Sequence, residues 1–352
     1  MKIGIVGLPN VGKSTLFNAL TKKQVEASNY PFCTIDPNIG IVAVPDDRLA
    51  KLSDVYNSAK IVPAVIEFVD IAGLVKNASA GEGLGNKFLA HIREVDAIAH
   101  VVRNFHDDNV VHVEGRVNPT DDLSTIAIEL AMADLTVMDK TITRLTGEIK
   151  SGDKNALRQK TILENIKASL DAGNKPTLPE EMKKEDSSLI KGLNLLTLKP
   201  ELFIENIDEN HIKDFTPTIP GAIPICAKLE AEVSELNDEE AKIYLQDLGI
   251  DKSGLDRLIT AGYELLDLIT YFTAGPKDSH AWTITRGTKA PGAAGKIHTD
   301  FEAGFIRAEI INWQDIVTFG GEVKAKENGK MHLEGKDYIF QDGDTALFHF
   351  NK

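Results

Sequence analysis

Gly7-Leu8-Pro9-Asn10-Val11-Gly12-Lys13-Ser14-Thr15 decides the reading of this chain. It has the form G-x-x-x-x-G-K-[ST]. The apolar run Lys2 to Val6 precedes it and reads as a buried strand. Ser14 to Leu20 follow, with Leu16, Phe17, Ala19 and Leu20 at helical spacing. Strand, loop and helix in that order turn the pattern into a phosphate-binding loop. Gly7 and Gly12 let the chain curl until backbone N–H groups converge on phosphate oxygens. The helix N-terminus adds the positive end of its dipole. On this reading Asn10, Val11, Gly12, Lys13, Ser14 and Thr15 contact the nucleotide. Lys13 reaches the β- and γ-phosphates and serves catalysis, and the Ser14 hydroxyl ligates Mg²⁺.

Downstream, the apolar strand Val65 to Asp70 ends in Asp70-Ile71-Ala72-Gly73, the D-x-x-G of P-loop hydrolases. There the Asp holds Mg²⁺ and the Gly N–H senses the γ-phosphate. The next residue is Leu74, where Ras-like proteins place a water-orienting Gln. A leucine has no hydrogen bond to offer, so hydrolysis is slow or another group helps. His112, in a segment that also holds His106, Asp107 and Asp108, is the candidate base or orienter. Asn10 either helps hold a monovalent cation such as K⁺ beside the phosphates or bonds its own backbone. Thr34, in the loop Asn29 to Gly40, is the candidate that closes on Mg²⁺ when the γ-phosphate is present.

Outward from these motifs, strand-like runs at Ile3–Val6, Gly40–Val44, Val65–Asp70, Ala97–Val102, Glu201–Asn206 and Ile223–Ala227 alternate with helical or loop segments. That order predicts an α/β sheet with ligands at its strand ends. From Asp122 to about Pro200 the β signal fades. Ile128, Ala131, Leu135, Met138, Ile142 and Leu145 form a heptad-like seam, and a second helix is expected from Asn155 to about Ala172. This predicts an inserted helical coiled-coil hairpin. Residues 140–200 hold twelve Lys and Arg against eight Asp and Glu, a net +4 in a chain of −14. A basic projection on an acidic body is either an RNA-facing surface or a solvated coiled-coil face. After a helical segment at Leu255–Ile269, Trp282–Ile284, Phe305–Ile310, Tyr338–Phe340 and Ala346–Phe350 read as short strands of a separate β-rich domain.

Composition bounds the rest. At 352 residues, two or three domains are expected. The net charge of −14 argues against a generic nucleic-acid binder, and no DNA partner is expected. Cys33 and Cys226 lie far apart, which fits a reducing, cytoplasmic setting. No apolar run reaches a membrane span, and no signal-peptide pattern opens the sequence.

The P-loop, N-Y-P-F-C-T-I-D-P-N-I-G (Asn29–Gly40) and D-I-A-G-L together resemble the Obg branch of translation-factor-related GTPases. The long stretch Asp70–Leu89 and H-V-E-G-R-V-N-P-T-D-D (His112–Asp122) resemble its YchF subfamily, the Obg-like ATPases. The resemblance covers essentially the whole chain. It implies a P-loop nucleotide-binding domain at 1–121 and 201–268, the inserted hairpin at 122–200, and a TGS-like β-grasp domain at 269–352. GTPases carry N-K-x-D after a buried strand, its Asp accepting from guanine N1–H and N2–H₂. Here the strand Leu202 to Glu205 leads into Asn206-Ile207-Asp208-Glu209. The longer Glu209 does not reproduce the two-point guanine contact in the same space, although Asp208 stands one residue earlier. A site built without that pair loses powers of ten in selectivity. The subfamily shows this N-x-x-E departure and prefers ATP. The resemblance gives Asn206 and the Ile207 backbone a role at adenine, with Cys226 and Ala227 backing the base. It implies an Mg²⁺-dependent ATPase switch that associates with the ribosome and its RNA and regulates translation or a stress response. The alternatives are a GTP-specific Obg-type switch, or a ribosome-binding module in which hydrolysis is incidental. A nucleotide kinase fits less well, because nothing resembles an Arg-rich lid.

Overall fold

Near-continuous apolar runs such as Ile3-Gly4-Ile5-Val6 and Ala97-Ile98-Ala99 are buried on both faces, as parallel strands between helical layers must be. The computed structural model describes residues 1–23, 25, 36–71, 84–107, 110 and 116–351. Its strands are β1 (Lys2–Val6), β2 (Ile39–Ala43), β3 (Ile61–Val62), β4 (Val65–Asp70), β5 (Ala97–Asn104) and β6 (Glu201–Ile207). They continue with β7 (Ile223–Ile225), β8 (Leu268–Ala274), β9 (Ser279–Thr285), β10 (Phe305–Asn312), β11 (His332–Glu334) and β12 (Asp344–Phe350). The chain divides into two compact units. One comprises residues 2–19 and 69–236; the other comprises Met1, 20–68 and 237–352.

In the first unit β1, β5, β6 and β7 lie side by side in that order. All are parallel, with Ile3 opposite Ala97, Ile98 opposite Glu201 and Ile204 opposite Ile223. The expected insertion is helical. Asn118 caps the 32-residue helix Pro119–Lys150 by accepting from the Thr120 and Asp121 N–H groups, and proline occupies the first turn. Asp153 caps the returning helix Lys154–Asp171 in the same way. A third helix, Lys184–Leu193, was not expected from the sequence.

The apolar seam departs from its expected register. Met138 and Leu145 are buried against Leu163, Ile166 and Leu170, and Ala131, Leu135 and Ile142 pack partly against them. Ile128 is 60% exposed, while Ile126 and Leu130 are buried. The first half of the helix answers to the sheet rather than to the hairpin, as Leu123 packing with Val102 and Phe203 shows. The two halves therefore bury different stripes. Mid-helix Asp134 is 0% exposed. Its carboxylate accepts from the Leu196 N–H (3.0 Å), the Thr197 N–H (2.8 Å) and the Thr197 hydroxyl (2.8 Å), with Arg93 at 3.6 Å. A buried carboxylate is tolerated because each oxygen is bonded.

The second unit holds a mixed sheet of order β11-β10-β12-β8-β9-β3. The β8–β9 hairpin is antiparallel, β12 joins β8 in parallel, and β10 is antiparallel to β12. The helix Ala290–Ile297 packs Ala293 and Ala294 against Ile269, Tyr271, Ile284 and Phe305. Five strands around one helix are the β-grasp arrangement expected for the C-terminal region. Three details differ from the sequence reading. Leu268 and Ile269 open β8, because the preceding helix ends at Leu265. Tyr338–Phe340 contributes an isolated bridge from Ile339 to Lys289, and His332–Glu334 is the strand. Finally, this unit takes in 20–68 and 237–268 as well: β3 extends its sheet beside β9, and the helix Asp47–Tyr56 packs on β8 and β9. The expected division at 268/269 therefore does not coincide with this compact unit.

Candidate nucleotide-binding site

Segments of the first unit meet at the strand ends around a cleft of about 1100 Å³, with Gly85 and Phe88 of the helix Leu84–Glu94 also in its lining. The others are the P-loop, the segment after β5 (Phe105, His106, Asp107 and Val110), the turn Asn206–Asn210, and Cys226–Lys228. Gly12 has φ +95°, and a Cβ there would lie 2.2 Å from the Asn206 amide nitrogen. A Cβ on Gly7 would lie 2.3 Å from the Val101 carbonyl oxygen. The loop is thus pressed against its neighbours at both glycines, and no other residue fits unstrained. Lys13 is buried and its ammonium donates to the Leu8 carbonyl at 2.6 Å, which folds the side chain back over the loop. Ser14 and Thr15 are exposed toward the cleft, and Val11 is buried beneath it. Asn10 adopts the left-handed conformation, φ 63°.

Asn206 does more than the sequence suggested. Its side-chain N–H donates to the Val11 carbonyl (3.0 Å), and its carbonyl oxygen accepts from the Ala227 N–H (3.0 Å). One buried amide therefore ties the P-loop to the loop behind the base. The Ile207 side chain is buried. Asp208 accepts from the His106 N–H at 3.1 Å, so its carboxylate is committed to the neighbouring loop. Glu209 lines the cleft, and its carboxylate makes no hydrogen bond or ion pair among the described residues. Cys226 caps the helix Ala227–Val233, its sulfur accepting from the Leu229 N–H, and burial pushes its thiol up, so it stays protonated.

Asp70 is 6% exposed, and its Oδ1 has no hydrogen-bond partner among the described residues. A buried carboxylate oxygen without a donor, together with a hydroxyl at Ser14, is the hard oxygen set that a divalent cation takes. Thr34, Gly73, Leu74 and His112 lie outside the described residues.

Sequence reasoning missed Arg103. It is 3% exposed, and its guanidinium donates to the carbonyls of Phe105 (3.1 Å), Val110 (2.8 Å) and Asp107 (3.2 Å), lying 4.4 Å from the Phe105 ring centre. It thereby fixes the wall of the cleft opposite the P-loop. A lone arginine closing an apolar strand, A-I-A-H-V-V-R-N, was the available signal.

The strand, glycine loop and helix on a parallel sheet, with a lysine over the loop, define a P-loop nucleotide-binding protein of the GTPase fold. Residues 2–154 match the family described as 50S ribosome-binding GTPase. Residues 268–351 match the YchF GTPase C-terminal family, described as a protein of unknown function (DUF933). A relative named ribosome-binding ATPase YchF from Bacillus subtilis (strain 168) is 52% identical, over 99% of this chain and 98% of its own. Its namesake from Haemophilus ducreyi is 55% identical over 99% of each. The solved structure of the Schizosaccharomyces pombe YchF GTPase superposes with a TM-score of 0.88 at 39% identity, covering 99% of this chain and 97% of that one. The chain belongs to the YchF family.

Proposed function

We propose that the chain is a ribosome-binding ATPase, a P-loop switch that takes Mg²⁺–ATP in preference to GTP and converts it to ADP and phosphate. Relatives over its whole length carry the name ribosome-binding ATPase. The observation that carries the ATP preference is the base end of the cleft. Asn206 is spent on backbone, Asp208 is spent on His106, and Glu209 stands where guanine reading needs an Asp. Asn206, the Ile207 backbone, Cys226 and Ala227 then frame a base without the guanine pair.

At the phosphate end, Lys13 exchanges the Leu8 carbonyl for β- and γ-phosphate oxygens, and the amides of Val11 to Thr15 cover the rest. Ser14, Thr34 and Asp70 are the residues that would hold Mg²⁺, which supplies positive charge beside the transferring phosphoryl group. The Gly73 N–H senses the γ-phosphate. With Leu74 inert, His112 orients or deprotonates the attacking water. Asn10 is assigned to K⁺, and exchange of K⁺ for Na⁺ in the turnover assay tests that assignment.

The inserted hairpin is the proposed ribosomal RNA contact. Arg158, Lys167 and Lys175 are paired with Asp186, Asp139 and Glu201. Lys140, Lys150, Lys154, Lys184 and Lys191 stand outside any ion pair among the described residues and remain for phosphates. We keep 1–121 with 201–268, 122–200 and 269–352 as the functional divisions. No helix among the described residues is long and apolar enough to cross a membrane, and a cytoplasmic setting follows from a ribosomal partner.

Calorimetric titration with ATP and GTP, each in Mg²⁺ and K⁺, tests the reading. Tighter ATP binding supports it. Tighter GTP binding overturns the base assignment and makes the chain a GTP switch on the same P-loop.

A further inference from the structure

The second unit has a cavity of its own, about 510 Å³, between the tip of the β8–β9 hairpin and the far half of β12. The strands create it. β12 pairs along its length with β10, from Asn312–Asp344 to Phe305–Phe350. On its other side it meets β8 at Thr345–Phe272, and β8 then ends at Ala274 while β12 runs on to Phe350. That edge of β12 faces the cavity. Two ring pairs wall it: His280 on Trp282, centroids 3.7 Å apart, and Phe301 on Phe350, 3.9 Å apart. The Trp282 indole N–H donates to Thr273 at 2.9 Å, which holds the ring in place.

The charge is one-sided. Among the described residues, Asp278, Glu309 and Glu322 line the cavity, and no Lys or Arg does. Glu309 is engaged by His349 at 2.9 Å, whereas Asp278 and Glu322 are in no ion pair among the described residues. Burial lowers His280 to about 4, with Asp278 and Lys60 acting in opposite directions, so the ring is neutral near pH 7. A phosphate here would meet three carboxylates, with Lys60 as the cation that acts on His280. A cation would meet both carboxylates and aromatic faces. An open strand edge offers hydrogen bonds to an extended chain.

We propose that this notch binds an extended segment of a protein partner, laid along the free edge of β12, with one arginine or lysine seated among the aromatic walls and countered by Asp278 and Glu322. Its lining residues are not those of the nucleotide cleft.

The test uses the full chain carrying Trp313→Phe, which leaves Trp282 as the remaining indole of the two. An end-capped peptide of alternating threonine and valine with a central arginine is titrated against Trp282 fluorescence. A matched peptide carries citrulline instead. The expected result is saturable binding, about tenfold tighter for arginine than for citrulline, as a partly desolvated cation among rings and carboxylates gives. Asp278→Asn with Glu322→Gln removes that difference and leaves ATP binding unchanged. The proposal is overturned by equal binding of the two peptides. It is equally overturned by a uridine oligonucleotide saturating the signal in place of the peptide, or by no saturation in a chain whose near-UV circular dichroism is native.

Discussion

The nucleotide cleft and the C-terminal notch are built from different material. The cleft is made of backbone: curled glycines, inward amides, and carbonyls held by Asn206 and Arg103. The notch is made of side chains, rings stacked within β9 and between a short helix and β12, with carboxylates around them. A cradle of amides tolerates no change in the residues that allow its curvature, whereas a box of rings tolerates exchange of one ring for another.

The largest expected effect lies on the backbone side. Gly12→Ala sets a Cβ 2.2 Å from the Asn206 amide at φ +95°, so calorimetry should find ATP binding lost in a folded chain. Lys13→Ala removes the cation that meets the developing charge, and turnover should fall about 100-fold or more in a phosphate-release assay. If either variant kept wild-type behaviour, the contrast between the two sites would collapse.

Arg103→Lys sharpens the contrast. A lysine offers one point charge where the guanidinium reaches three carbonyls in fixed directions. KM for ATP should rise about tenfold with kcat nearly unchanged, because the loop shapes binding rather than the reacting atoms. A fall in kcat alone would show that Arg103 serves the reacting phosphates instead.

The smallest effect belongs to the notch. His280 has its pKa lowered from 6.5 to about 4 by burial, so the unfolded state binds the extra proton between those values. Its stabilising contribution is complete above 6.5 and lost as pH falls toward 4. Acid titration of thermal unfolding should therefore show a slope in that window which His280→Gln flattens.

Legibility in the sequence followed the same division. The P-loop stood out because a backbone cradle demands Gly7, Gly12 and Lys13 at fixed spacing, and the parallel strands stood out as unbroken apolar runs. The hairpin was visible as helix, but Ile128 was placed on its seam because a single period was laid over a helix that faces two partners. Asp134 was invisible, since a buried mid-helix carboxylate resembles a solvated one until its partners Leu196 and Thr197 are located sixty residues away. The notch left no motif either. Aromatic residues at alternate positions of β9 and β12 are also what an ordinary core contains.

Asp134 has a mechanical consequence. It pins the 32-residue helix near its midpoint to the turn Leu196–Leu198, and that turn runs almost directly into β6, whose end carries Asn206. The part of the helix beyond the pin is a cantilever about 24 Å long at 1.5 Å per residue. A tilt of about 5° at the pin would sweep its far end through about 2 Å on that length. One carboxylate thus joins the long helix, whose far end is the turn of the hairpin, to the strand that carries Asn206 into the cleft.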